Sequence, residues 1–188
     1  MDKNEKVDLR VVKTHLAIQN ALIALLNEKA FRDIQVQEII ERAMINRSTF
    51  YKYYRGKSDL AGKLIAQVRE QYQRVVQERF ESQNLRLFMQ KLTPTIEQHA
   101  PLLLALWKIE TKRHHLWQDM HAILKQAFLD YSARQTADRA TNRDFQATMF
   151  ATLALESNRY YFEQGKALPL LEVFDQWQEM VAVVREES

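Results

Sequence analysis

An all-α fold is what this sequence predicts: an amino-terminal three-helix, helix-turn-helix unit joined by a long helix to a larger carboxy-terminal helical region. Three observations predict it. Glycine and proline number only three each in 188 residues, so helix formers run on with few breakers. No stretch combines strand-like alternation with Val/Ile/Thr enrichment and turn punctuation. Apolar residues instead recur at three- and four-residue spacing.

The first helix is expected from about Leu9 to Lys29, with Ile18, Ala21, Leu22, Leu25 and Leu26 as its apolar stripe. Ala30-Phe31-Arg32-Asp33 reads as a break, with Phe31 plugging the core. A short helix follows from about Gln35 to Ala43, turning Val36, Ile39 and Ile40 inward. After the junction Ala43-Met44-Ile45-Asn46, a third helix runs from Arg47 to Tyr53, and the Asn46 side chain is placed to accept from its free first-turn amides. Phe50 and Tyr54, four apart, face inward, which leaves Arg47, Ser48, Thr49, Tyr51 and Lys52 for solvent or a ligand. Gly56 allows a sharp turn, and Ser58 opens a long helix to about Glu81. Further helices are expected near 84–98, 101–109, 113–135, 142–165 and 170–186, with Pro101 and Pro169 at starts and Gly165 as a C-terminal cap. The expected domains are residues 1–63 and 64–188.

Composition narrows the chemistry. With no cysteine, disulfides, thiolate metal sites and cysteine nucleophiles are excluded, which fits a reducing cytosol. The first residues, M-D-K-N-E-K, are not a secretory signal, and the longest apolar run, Leu102 to Trp107, falls far short of the about 20 residues that span a bilayer. A cytoplasmic protein without membrane association is expected. His114, Gln118 and His121 fall on one face of an expected helix, but no carboxylate joins them at metal-ligand spacing, so a solvated or partly buried pair is the better reading. No H-E-x-x-H, P-loop, dinucleotide-binding or nucleophile-elbow pattern appears, so neither metal, cofactor nor enzymatic activity is expected.

Charge is unevenly spread. Residues 1–63 hold 12 Lys+Arg against 8 Asp+Glu, while the remaining 125 hold 15 against 16. Arg47, Lys52, Arg55, Lys57 and Lys63 crowd one stretch against Asp59 alone. Such a patch attracts phosphates, and it equally suits an ordinary solvated basic face. Combined with two short helical patterns around a four-residue junction, it reads as a device for entering the major groove of DNA.

The residues that frame this device carry a resemblance. Ala30-Phe31, Val36-Gln37-Glu38-Ile39-Ile40, Ala43-Met44-Ile45-Asn46, Thr49-Phe50-Tyr51, Tyr54 and Gly56-Lys57-Ser58-Asp59-Leu60 follow in order, without gaps, the pattern of the amino-terminal domain of TetR/AcrR-family transcriptional regulators. About a third of the chain is covered. Three positions depart from the pattern: the usual turn glycine is Met44, the glycine early in the recognition helix is Ser48, and the glycine closing the first helix is Ala30.

The resemblance implies a DNA-binding domain, a carboxy-terminal domain for effector binding and dimerisation, and a dimeric repressor released by a small molecule. Carried over by position, Arg47 would read a guanine edge and Gln37 an adenine or a phosphate. Ser48 and Thr49 are short, and Thr49 can offer its methyl to thymine. Tyr51, Lys52, Tyr53 and Lys57 match phosphate-gripping positions. Tyr53 suits packing on the first helix equally well. A two-fold dimer would place two recognition helices about 34–36 Å apart on a palindromic operator. Its interface is expected from Phe145, Met149, Thr152, Leu170, Phe174, Trp177 and Val181 on the last two helices. Phe88, Trp107, Trp117, Met120, His121 and Phe150 are candidates for an effector pocket, and they suit a plain core at least as well. A reading from another class stays open: a protein-interaction module that keeps the fold without reading DNA.

Overall fold

The computed structural model describes residues 9–135, 142–166, 168–169 and 172–185. Among these, eight α-helices appear: α1 (Leu9–Glu28), α2 (Val36–Arg42), α3 (Arg47–Tyr53), α4 (Lys57–Glu81), α5 (Leu85–Trp107), α6 (Leu116–Gln135), α7 (Arg143–Glu163) and α8 (Glu172–Arg185). A single 3-10 turn, Phe31–Asp33, joins α1 to α2. The chain divides into two compact units. One comprises Met1–Arg69 with Ala105–Leu116, the other Glu70–Leu104 with Trp117–Ser188. The expected boundary at residue 63 thus falls inside α4, and the amino-terminal unit recruits a later segment.

The amino-terminal unit is built around the stripe of α1. Ile18, Ala21, Leu22, Leu25 and Leu26 are all buried, together with Phe31, Ile34, Ile39, Ile40, Phe50, Tyr54 and Leu60. By length and mean hydropathy (20 residues, 1.2) α1 resembles a membrane span, but this stripe forms the core of a folded domain. Ala30 is extended (φ −65°, ψ 147°), so the family's usual glycine is not required there. Two ion pairs tie α1 to α2. Arg42 forks onto Glu28 at 2.5 and 3.0 Å, and Lys29 meets Glu38. Glu38 also accepts from the Gln35 backbone N–H at 2.8 Å, which helps cap α2.

The segment 105–116 completes this unit. Ala105, Leu106, Ile109 and Leu116 have no exposed surface. Lys108 Nζ donates to Asn27 Oδ1 at 2.9 Å, and the His114 ring packs on Gly62 while its Nε2 lies 2.9 Å from Ser58 Oγ. This corrects two expectations. Trp107, placed among the effector residues, belongs to the amino-terminal unit. His114 lies before α6 begins at Leu116, so it does not share a helical face with His121.

In the second unit, Val76, Leu124 and Ala151 form a buried cluster flanked by Tyr72, Phe80, Ile123 and Phe150. Burial pushes the Tyr72 phenol well above its ordinary range, so it stays neutral. The helices expected at 84–98 and 101–109 are one, with Pro94 and Pro101 inside α5. Each proline removes one intrahelical donor but leaves neighbouring turns bonded, which bends a helix more readily than it ends it. Gly165 (φ 64°) closes α7 as expected, with Gly165 N–H bonded to Phe162 O (3.0 Å) and Lys166 N–H to Tyr161 O (3.0 Å).

Candidate nucleic-acid interface

The junction between α2 and α3 has the same closure as the end of α7. Met44 N–H bonds to Glu41 O at 3.1 Å and Ile45 N–H to Ile40 O at 3.2 Å, a Schellman arrangement that needs a left-handed residue between. Here that residue is Met44, at φ 52° and 91 % exposed. A side chain in this conformation costs roughly 1–2 kcal/mol. The turn keeps the geometry for which the family uses glycine and carries the strain instead.

Asn46 occupies the N-cap of α3 as expected, with extended φ −77° and ψ 150°. Its side chain makes no capping bond, contrary to the sequence reading. Its backbone carbonyl accepts from Thr49 N–H (3.0 Å) and Phe50 N–H (3.2 Å), which starts the helix without help from the amide group.

The inner side of α3 is fixed. Phe50 is wholly buried and Tyr54 nearly so, and the Tyr54 hydroxyl lies 2.7 Å from His15 Nδ1 on α1. Burial raises the Tyr54 pKa above its ordinary value, which keeps the phenol protonated. Tyr53 stacks on the same imidazole, with ring centroids 4.5 Å apart. It is half-buried, so packing on α1 accounts for most of its ring. His15 thus anchors Tyr53 of α3 and Tyr54 just beyond it, a role the sequence reading did not assign.

The outer side presents Arg47, Ser48, Tyr51 and Lys52, all exposed, with Thr49 half-exposed. The Arg47 guanidinium carbon lies 5.5 Å from the Tyr51 ring centroid, and Lys52 Nζ the same distance from Tyr53. Gln37 is exposed on α2, and its Nε2 donates to Glu41 Oε1 at 2.9 Å.

The five cations of this stretch do not act alike. Lys57 Nζ donates to the backbone carbonyls of Phe31 (2.9 Å), Arg32 (2.8 Å) and Ile34 (2.6 Å), which uses all three ammonium protons. Its assignment as a phosphate contact is corrected: it caps the 3-10 turn. Lys63 Nζ bonds to Tyr53 O at 2.9 Å and pairs with Asp59 at 3.1 Å, so it closes the end of α3. Asp59 also accepts from the Arg55 backbone N–H at 3.0 Å, and this bond, followed by that from Lys63, holds its carboxyl below the usual carboxylate range. Among the described residues, Arg47, Lys52 and Arg55 join no ion pair. The spacing Asp59–Lys63, i and i+4, was the sequence signal for the structural role of Lys63.

The other expected sites divide. In the second unit, Trp117, Met120 and His121 lie on α6 and Phe150 on α7, while Phe88 is a half-buried residue of α5. The Arg159 guanidinium covers Trp117 at 4.8 Å, and Phe150 packs on Phe128 at 4.9 Å. His121 Nε2 lies 3.1 Å from Thr152 Oγ1, whose own proton goes to Thr148 O (2.9 Å), so the imidazole is the donor. Thr152 is therefore engaged within the chain. Trp177 likewise has partners within the chain: its indole N–H donates to Ser157 Oγ at 3.2 Å and its ring meets Phe150 and Phe174. Phe145, Met149 and Val181 remain exposed, at 58, 39 and 47 %. Leu170 lies outside the described residues.

Residues 18–64 match the family of bacterial regulatory proteins described as the tetR family. Over 65 residues the chain is 35 % identical to an uncharacterized HTH-type transcriptional regulator, YxbF, of Bacillus subtilis (strain 168). That match spans 34 % of this chain and only 17 % of the relative. The fold is similar to that of a gamma-butyrolactone receptor (ArpA-like protein), with TM-score 0.58 and 16 % identity over 96 % of this chain and all of the other. It is similar also to a regulatory protein TetR from Rhodobacter sphaeroides (TM-score 0.58, 17 % identity, covering 81 % of this chain and 90 % of that one). A third similar structure is the reduced form of E. coli NemR (TM-score 0.52, 14 % identity, covering 88 % and 96 %). Residues 18–64 thus carry the amino-terminal domain of the tetR family of bacterial regulatory proteins, within an all-helical fold similar to those of the three solved structures.

Proposed function

We propose that the chain reads a specific DNA sequence as a homodimer, and that it represses transcription until a small-molecule effector binds its carboxy-terminal unit. One observation carries the reading: α3 is pinned on its inner side by Phe50 and Tyr54 and presents Arg47, Ser48, Tyr51 and Lys52 on its outer side. An α-helix about 10–12 Å across fits a major groove about 12 Å wide. Arg47 is the base reader in this proposal, able to donate two hydrogen bonds to guanine O6 and N7. Tyr51 and Lys52 hold phosphates and so set register. Gln37, Ser48 and Thr49 border the same face.

The exposed apolar side chains Phe145, Met149 and Val181 on α7 and α8 support a face shared between two copies. A palindromic operator with half-sites about 34–36 Å apart would follow. One structure of similar fold is a gamma-butyrolactone receptor, which supports a small organic effector near Met120, His121 and Phe150. Selection of duplexes from a random pool by the purified chain, at moderate salt, tests the proposal. Enrichment of one palindromic sequence is the expected result, with sedimentation showing two chains per duplex. A pool that stays random would overturn it, and capture of a protein partner instead would favour an interaction module.

A further inference from the structure

Three aromatic and cationic groups on α3 form a chain from core to surface. Phe50 has no exposed surface. The Tyr51 ring meets it edge to face, with centroids 5.4 Å apart and planes at 85°. The Arg47 guanidinium lies over the other ring of the pair, 5.5 Å from the Tyr51 centroid and one helical turn back. Among the described residues, no carboxylate pairs with Arg47. The Tyr51 ring is therefore what restrains this side chain before any DNA arrives.

We propose that Tyr51 is a positioning residue for Arg47, acting through its ring rather than its hydroxyl, and so sets the chain's base preference at the pair Arg47 contacts. This rests on the reading that α3 enters DNA. A free arginine loses much rotamer freedom when it docks on a base edge. A guanidinium already held by a ring loses less, and the benefit is realised only on the base that accepts both donors. The proposal separates two roles that a tyrosine on a recognition helix can combine. A phosphate-gripping hydroxyl raises affinity for all sequences alike, whereas a ring that orients arginine raises discrimination at one position.

The test uses the full-length chain and a random-duplex pool, followed by competition between the selected duplex and versions altered at single base pairs. Arg47→Ala is expected to lose about 5- to 150-fold in discrimination at one pair. Tyr51→Leu is expected to lose about 2- to 5-fold at that same pair, the magnitude of an exposed cation–π contact. Tyr51→Phe keeps the ring and is expected to restore discrimination there, whatever its effect on total affinity. In the Arg47→Ala background, Tyr51→Leu should change discrimination no further. Tyr51 is 46 % exposed and leucine still covers Phe50, so folding is checked by thermal melting, and Tyr51→Gln replaces the leucine variant if that one is unfolded. If Arg47→Ala leaves every base preference intact, the DNA-reading assignment of Arg47 fails. If Arg47→Ala relaxes one position but Tyr51→Leu leaves it unchanged, or Tyr51→Phe fails to restore it, only the positioning role is overturned.

Discussion

The imidazole of His114 rests on the bare backbone of Gly62, so close that a Cβ at position 62 would lie 2.9 Å from Cε1. Glycine inside a helix costs about 1 kcal/mol relative to alanine. Here the missing side chain makes room for the segment that closes the amino-terminal unit. Gly62→Ala is therefore expected to gain almost nothing in the native chain, because the overlap offsets the helix propensity. In a His114→Ala background the same substitution should stabilise by up to about 1 kcal/mol. Urea midpoints of the four variants measure the difference, and equal effects in both backgrounds would show that the contact does not matter.

Met44 and Gly165 close their helices with the same pair of backbone bonds, yet only one is a glycine. Met44→Gly should relieve roughly 1–2 kcal/mol of backbone cost, less about 0.4–1 kcal/mol for the freer unfolded chain. A net rise of about 0.5–1 kcal/mol in stability is expected, read as a higher Tm. Gly165→Ala should move the other way. A lower Tm for Met44→Gly would mean that the exposed methionine makes a contribution its conformation does not reveal.

Lys57 and Lys52 are predicted to part company in a salt titration. Lys52→Ala should flatten the logarithmic dependence of DNA affinity on salt by about one unit. Lys57→Met should leave that slope unchanged and lower the melting temperature of the amino-terminal unit, because three backbone carbonyls lose their donor. A flattened slope for Lys57→Met would return that residue to the phosphate-binding set.

Three carboxylates set an acid limit. Glu28 is held below the ordinary range chiefly by its bond from Arg42, Glu38 by Lys29 and then the Gln35 N–H, and Asp59 by the Arg55 N–H and then Lys63. A folded pKa below the unfolded one contributes stability that is present above the unfolded pKa and is lost as pH falls through the folded one. Stability of the amino-terminal unit should thus be level above the ordinary carboxylate range and decline below it. Glu28→Gln should remove part of that decline, checked by denaturation at stepped pH between neutral and acid. Glu28 is exposed and Glu38 and Asp59 are partly so, and solvent screening should therefore keep the decline shallow and weaken it further in salt.

Local periodicity made the core of the first unit legible. The five stripe residues of α1, the inward pair Phe50 and Tyr54, the plug Phe31 and the cap Gly165 each follow from spacing or backbone preference within a few residues. What depends on partners far along the chain was not legible. Lys57 reads as a surface cation until the carbonyls of Phe31, Arg32 and Ile34 are seen beside it. Trp177 and Thr152 are placed at an interface by the resemblance, and their partners within the chain, Ser157 and His121, lie too far along it to be read from helical spacing. Pro101 reads as the start of a new helix because proline's preference is local, whereas continuity of α5 is decided by the turns around it. Of the candidate DNA-binding residues, the exposed set around Arg47 was visible from the sequence, while His15 and Lys63, which hold α3 in place, were not assigned.

Ala105, Leu106, Ile109 and Leu116 lie far along the polypeptide from α1, yet they are fully buried and belong to the amino-terminal unit. A fragment ending after residue 69 would lack all four of these buried aliphatic side chains. The compact unit that carries α3 is accordingly discontinuous in the polypeptide. Ribosomal synthesis must pass residue 116 before every segment of the amino-terminal unit exists, which ties its completion to production of the chain well beyond α3.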